Sequence, residues 1–239
     1  MIRYENMVPG TFLARPNRFI AQVDLGGKLE LCHVKNTGRC RELLVPGTAV
    51  WCQHHDDPKR KTQYSLITVD KQGRLVNLDS QTPNAAAAEW VQNGGLGIVP
   101  QGLRREFCHG ASRFDLYFEL DGQPCLMEVK GVTLERDNVA CFPDAPTERG
   151  RKHLRGLAKA AGEGWRTYVL FVIQMGGIVE FRPNWATDPG FAQALCDARA
   201  AGVQVLAVQC QVGVGELEIR QRVPVCLEKQ TGQRTGNTL

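Results

Sequence analysis

The nine cysteines of this 239-residue chain form no C-x-x-C pair; they are scattered from Cys32 to Cys226. That spacing excludes a zinc ribbon and a thioredoxin-like redox centre, both of which need closely paired thiols. Most of these cysteines lie among apolar neighbours, as at Cys125, Cys196 and Cys210, where a free thiol serves as a small core residue. No run approaches the ~18 apolar residues of a membrane span, and the opening MIRYENMVPG lacks the apolar core of a signal peptide. A cytoplasmic protein with no membrane partner is therefore expected. Aromatic residues make up only 7% of the chain, which gives little support to a carbohydrate-binding face. No helix-turn-helix reader is evident either.

What is present is an ordinary core and an uneven charge. The hydrophobic share is 43%, and the length suits one large domain or two small ones. Residues 1–80 carry 12 Lys and Arg against 8 Asp and Glu, whereas residues 81–239 carry 17 of each. The surplus of four positive charges thus belongs to the first third, a weak pointer to a polyanion surface there.

That first third reads as short strands broken by turns. FIAQVDL and KLELCHVKN flank Gly26-Gly27, TAVWCQH follows Pro46-Gly47, and QYSLITVD and RLVNLDS flank a turn at 71–73. Five strands with no convincing helix predict a small OB-fold-like β-barrel over residues 1–83. A polar loop between two of its strands, HHDDPKRKTQY, holds Lys59, Arg60 and Lys61. Such loops touch nucleic acid in OB-folds, and they also occur simply as solvated surface.

The pattern then changes. NAAAAEWVQNGG predicts a helix closed by glycine. Strands follow at about 104–109, 113–120 and 125–132, then a helix at about 147–161, a strand TYVLFVIQ apolar on both faces, a helix FAQALCDARAAG and a last strand VQVLAVQCQV. The order α-β-β-β-α-β-α-β predicts an α/β domain with a mixed sheet over residues 84–227. Residues 228–239 read as a disordered tail.

Within this domain, CLMEVKGVTL places Glu128 and Lys130 on one face of a strand. The preceding turn, Asp121-Gly122, suits a two-residue loop; counting back from a Leu120–Gln123 pair, Asp115 falls opposite Glu128. One face of the hairpin is then apolar (Phe114, Leu116, Phe118, Cys125, Met127, Val129), and the other holds Arg113, Asp115, Tyr117, Leu126, Glu128 and Lys130. Two adjacent carboxylates repel unless a cation lies between them, and Mg²⁺ (or Mn²⁺) favours such a pair together with water and phosphate oxygens. Lys130 is placed to stabilise a phosphate under attack or to help orient or deprotonate the attacking water. The spacing Asp-x12-Glu-x-Lys matches the PD-(D/E)xK nuclease signature. By itself it also fits a polar hairpin face with an Asp–Lys contact.

The helix after this strand offers Asp144 as its N-cap, Pro146 in its first turn, and an apolar stripe of Leu154, Leu157, Ala158 and Ala161. Its remaining surface carries Arg149, Arg151, Lys152, His153, Arg155 and Lys159, a composition suited to phosphate contacts. Arg149, Lys152 and His153, nearest its start, are candidate nucleic-acid ligands, as is Arg113 on the hairpin; His153 is equally a packing candidate.

Over about residues 9–227 the chain resembles the sugar fermentation stimulation protein family (SfsA). The resemblance is carried by NTGRC, RKTQYS, VNLDSQTPN, SRFDLYFE, EVKGVTL and FPDAPTERGRKHL, with Cys40 where methionine is expected after NTGR. It implies an N-terminal OB-fold, a C-terminal PD-(D/E)xK nuclease-like domain, and DNA binding with a role in expression of sugar-utilisation genes. Asp115, Glu128 and Lys130 then occupy the catalytic positions, the first two as metal ligands, with Glu106 a candidate additional carboxylate. Two functions follow: a Mg²⁺-dependent nuclease, or a DNA-binding regulator without turnover. DNA is the expected partner and RNA a second candidate, and a homodimer is compatible with nucleases of this fold.

Overall fold

The computed structural model describes residues 1–36 and 38–229; residues 230–239 of the expected tail lie outside the described residues. The chain opens with β1 (Ile2–Arg3), β2 (Met7–Asn17), β3 (Ile20–Leu25), β4 (Lys28–Val34), β5 (Ala49–His54), β6 (Tyr64–Lys71) and β7 (Arg74–Asn77). Strands β2 to β6 form a closed barrel in the order β4-β3-β2-β5-β6. A short parallel ladder between β4 and β6, from Cys32↔Tyr64 to Val34↔Leu66, shuts it. Closure leaves no bare edge within the barrel, and the order is that of an OB-fold. Alternation sets its core: Ala21 and Val23 point inward from β3, Cys32 and Val34 from β4, Val50 and Cys52 from β5. Leu43 and Leu44, from the helix-free connection between β4 and β5, are buried with them.

Strand β2 has no counterpart in the sequence reading, because Pro9, Gly10 and Pro16 punctuate it. Pro9 lies in the half of β2 that pairs with β5 alone. Gly10 is required by close approach: a Cβ there would sit 2.7 Å from the carbonyl oxygen of Asp24.

The second half contains α1 (Thr82–Gln92), β8 (Gln101–His109), β9 (Ser112–Leu120), β10 (Gln123–Val132), β11 (Glu135–Arg136), β12 (Val139–Phe142), α2 (Glu148–Gly162), β13 (Arg166–Ile173), β14 (Glu180–Pro183), α3 (Pro189–Ala200), β15 (Gln204–Gly213) and β16 (Glu216–Val223). Its main sheet has the order β1-β16-β15-β13-β10-β9-β8. Strands β10, β13 and β15 are mutually parallel, and the flanking pairs are antiparallel, so the sheet is mixed. Helix α1 packs Ala86, Ala87 and Val91 on one face, against Leu116, Met127, Leu170 and Val172. Helices α2 and α3 cover the other with Leu154, Leu157, Phe191 and Leu195, against Leu126, Val169 and Phe171. The largely apolar β13 is buried on both sides for this reason. Strands β11, β12 and β14 make a small separate sheet that the sequence reading did not anticipate.

Two local expectations need correction. The N-cap of α2 is Thr147, whose side chain accepts from the Gly150 N–H at 3.0 Å. Asp144 lies three residues too early and instead accepts from the Arg39 N–H of the barrel, and Pro146 precedes the helix rather than sitting in its first turn. The second concerns the hairpin faces: Phe114 belongs with the α2-side cluster, while Leu116, Phe118 and Met127 belong with the α1 side. The face carrying Leu126 and Glu128 is therefore no outer polar surface but lies beneath α2.

The barrel and the α/β half share a continuous contact. Lys71 donates to Glu135 Oε2 at 2.5 Å, and Arg74 Nη1 lies 3.1 Å from the same oxygen. Thr68 donates to the Val214 carbonyl at 2.9 Å. The Gln174 side chain donates to Asn77 and to the Asp79 carbonyl at 3.0 Å. Tyr4, in the link between β1 and β2, meets Asp79, Asn77 and Thr82, and burial together with the Asp79 charge pushes its phenol up to about 12.

Candidate active site at the β9–β10 split

The β9–β10 ladder starts at Leu120↔Gln123, as the turn chemistry predicts, and runs to Leu116↔Met127. There the strands part. Asp115 takes over where main-chain pairing stops: its Oδ2 accepts from the Val129 N–H at 2.7 Å. Its Oδ1 accepts from Asn84 Nδ2, near the start of α1, at 2.8 Å. The carboxylate is thus oriented by one strand and one helix at once.

Glu128 is 2% exposed, beneath α2. A buried carboxylate must be compensated, and two side chains do so at a single oxygen. Lys130 Nζ donates to Oε1 at 2.5 Å, and His153 Nδ1 bonds the same atom. The other oxygen, Oε2, is buried without a hydrogen-bond partner among the described residues. Burial pushes the Glu128 carboxyl up, but His153 and Lys130 outweigh it and hold it below the usual glutamate range. Asp115 moves the opposite way: burial and then the neighbouring Glu128 charge raise it, against the opposing pull of the Val129 N–H, Lys130 and Asn84. The two acids of the pair are driven apart, which is how one environment assigns different roles to like groups.

An orphaned, buried, ionised oxygen beside a second carboxylate fits a hard divalent cation. Among the described residues no group of three or more His, Cys, Asp or Glu side chains forms a cage. The acidic pair alone suits Mg²⁺, which keeps several waters and takes one or two carboxylates plus substrate oxygens.

The structure brings Asp115, Glu128, Lys130 and His153 together and leaves the remaining candidates outside. His153 lies 8% exposed against Glu128, so it is withdrawn from the exposed nucleic-acid contacts expected of it. Arg149 and Lys152 stand exposed on α2. Lys59 and Lys61 are exposed in the β5–β6 loop, while Arg60 turns inward and donates to Thr62 O and Ser65 Oγ. Glu106 does not join the carboxylates; it is exposed and pairs with Arg113 at 3.5 Å. Its positive φ of 56° breaks the alternation of β8, which is why strand periodicity could not aim it.

Asn84 was not singled out from sequence. Its signal was its place near the start of a helix within VNLDSQTPN, a run whose Asn77, Asp79 and Thr82 also tie the barrel to the sheet. The aromatic residues, sparse in sequence, do gather once folded: Phe107 stacks on Tyr117 at 4.5 Å, with His109 against Trp165 at the same spacing.

Comparison with known proteins agrees with this architecture. The family domain described as "SfsA N-terminal OB domain" matches residues 13–78, and "Sugar fermentation stimulation protein RE domain" matches residues 81–216. The sugar fermentation stimulation protein homolog of Desulfitobacterium hafniense (strain Y51) is 50% identical over 226 residues, covering 95% of this chain and 99% of that protein. The homolog of Ruminiclostridium cellulolyticum is 47% identical, with coverage of 95% and 100%. Among solved structures, Pyrococcus furiosus SfsA in complex with Ca²⁺ superposes with a TM-score of 0.84 at 28% identity, covering 94% of this chain and 97% of that one. An OB barrel joined to a mixed α/β sheet, with matches to both family domains and relatives near 50% identity along its length, places this chain in the sugar fermentation stimulation protein (SfsA) family.

Proposed function

We propose that the protein is a divalent-metal-dependent phosphodiesterase acting on DNA. The observation that carries this reading is the Glu128 carboxylate, with one oxygen held by Lys130 and His153 and the other buried without a partner among the described residues. A purely structural ion pair has no reason to leave a buried charged oxygen unpartnered. The Ca²⁺ in the Pyrococcus furiosus relative supports a hard-cation site in the family.

In this reading Asp115 and Glu128 hold Mg²⁺ or Mn²⁺. When bound, such an ion polarises a phosphoryl oxygen and acidifies a bound water. Asn84 and the Val129 N–H fix the rotamer of Asp115, so the pair is oriented before substrate arrives. Lys130 directs its charge toward the phosphate and helps position the attacking water. His153 holds Glu128 from α2 and shields it from solvent. The exposed cations Arg149 and Lys152 supply phosphate contacts on the α2 side, and Lys59 and Lys61 on the barrel.

The test is cleavage of labelled single-stranded DNA, duplex DNA and RNA with Mg²⁺, Mn²⁺ or EDTA, alongside Lys130→Ala. Metal-dependent products that disappear in the variant support the reading. DNA binding without products on any substrate would replace it with a non-catalytic DNA-binding regulator.

A further inference from the structure

Between the barrel and the carboxyl ends of β10 and β13 lies a cleft of about 160 Å³. Ser80, Gly131, Thr133, Phe142, Asp144 and Gln174 contribute to its walls. It borders the acidic pair directly in the chain, since Gly131 follows Lys130 on the same strand. Its volume is well below the ~300 Å³ at which drug-sized pockets begin, so it has room for one ring system.

The polar chemistry of the cleft is one-sided. Gln174 is 1% exposed, and its Nε2 faces three acceptors at 3.0 Å: the Asn77 carbonyl, Asn77 Oδ1 and the Asp79 carbonyl. Those contacts fix the amide, so its Oε1 must point the other way, toward Gly131. A Cβ at Gly131 would lie 2.7 Å from that oxygen, so only glycine keeps this wall open. Among the described residues no donor meets Gln174 Oε1. Asp144 gives one oxygen to the Arg39 N–H at 3.1 Å, and its other oxygen has no partner among the described residues. Two buried or half-buried acceptors therefore line a cleft that also offers the ring of Phe142.

We propose that this cleft receives one unpaired nucleobase of the bound strand, and that it selects bases presenting amino and imino hydrogens, guanine foremost. The inference rests on the nucleic-acid reading of the adjacent site. Guanine sets two neighbouring donors on its Watson–Crick edge, which a carboxylate and an amide oxygen can both accept. Thymine brings two carbonyls and a single donor, so it turns acceptor against acceptor and leaves buried groups unpaired. Fully paired DNA cannot present either edge, so the cleft acts only on bulged, mismatched or single-stranded substrate.

The experiment uses the full chain and fluorescently labelled duplexes carrying a single-base bulge, either G or T, beside the fully paired control. Binding is read by anisotropy in Ca²⁺ without Mg²⁺ to hold any cutting off. Bulged G is expected to bind about tenfold more tightly than bulged T, the scale of one charge-assisted hydrogen bond. Asp144→Asn keeps an acceptor for Arg39 but replaces the other carboxylate oxygen with an amide NH2 donor, and should bring the ratio within about twofold. Ser80→Phe, at an exposed rim position, should do the same by filling the entrance, with binding of paired duplex unchanged in both variants. Equal binding of the two bulges by the unaltered protein, a preference that survives both substitutions, or no binding of any duplex would each overturn the proposal. Cleavage in Mg²⁺ reads the phosphodiesterase separately. Base preference without cutting leaves the cleft standing and removes the enzyme; cutting without base preference does the reverse.

Discussion

The barrel and the α/β half handle charge in opposite ways. In the barrel the cations Lys59 and Lys61 stand in solvent, on a loop that carries no sheet pairing. In the α/β half the decisive charges are buried: Glu128 under α2, with Lys130 and His153 folded onto one of its oxygens. A solvated charge acts at a distance, is screened by salt and tolerates imprecise placement. A desolvated one acts only at contact and requires every neighbour in place. Under the proposed function the difference separates grip from chemistry, and side chains of each kind can be substituted without touching the other.

The largest effect should come from Lys130→Ala. It is expected to lower metal-dependent cleavage by at least about a hundredfold while DNA affinity stays within about threefold. Gel-shift and cleavage assays on one preparation decide this. A large loss of affinity with unaltered cutting would sink the assignment of Lys130 to the chemistry. Next in size is the seam between the halves. Glu135→Ala removes the acceptor shared by Lys71 and Arg74 and should cost about 1–3 kcal/mol in urea unfolding.

That contact also carries a pH signature. Burial raises the Glu135 carboxyl, but Lys71, the Asn138 N–H and Arg74 bring it below the usual glutamate value in the folded protein. Its contribution is therefore complete above the ordinary glutamate pKa and is lost as pH falls through the lowered folded value. The variant should accordingly show a flatter loss of stability in acid than the unaltered chain.

A third variant, His153→Ala, should weaken Ca²⁺ or Mg²⁺ binding by about tenfold in calorimetry, as loss of a group that orients a ligand does. Unchanged metal affinity would reduce His153 to packing. The smallest effect belongs to the barrel: Lys59→Gln with Lys61→Gln should lower DNA affinity a few-fold and flatten the salt dependence by about two ions released. Cutting at saturating DNA should be untouched, and a loss there would merge the two halves' roles.

The hairpin explains why part of the site could be read from residues alone. A two-residue turn and a strict period of two determine which side chains meet, so Asp115, Glu128 and Lys130 were legible. What periodicity cannot show is where a ladder ends. Asp115 does not face Glu128 across a rung; it replaces a rung by accepting from Val129. Contacts between separate elements were also invisible, which is why Asn84 was missed and His153 stayed open between a nucleic-acid ligand and a packing residue. The same limit applies to β2, whose prolines read as loop until barrel neighbours accommodate them. Likewise Asp144 resembled a helix cap by composition, but its partner is a backbone amide more than a hundred residues away.

The pairing of β1 with β16 makes the barrel an insertion rather than a preceding module. Ile2 and Arg3 belong to the far edge of the second sheet, and the whole OB unit is looped out between that strand and the rest. During synthesis the barrel can close early, but the first strand must wait for Leu217 and Glu216 to emerge before it has a partner. A fragment beginning at α1 would expose the outer edge of β16 and lose Tyr4 from the junction, leaving a template for strand pairing between copies. The two halves are distinct in architecture yet not severable, and attempts to express the α/β half alone should yield self-associating material.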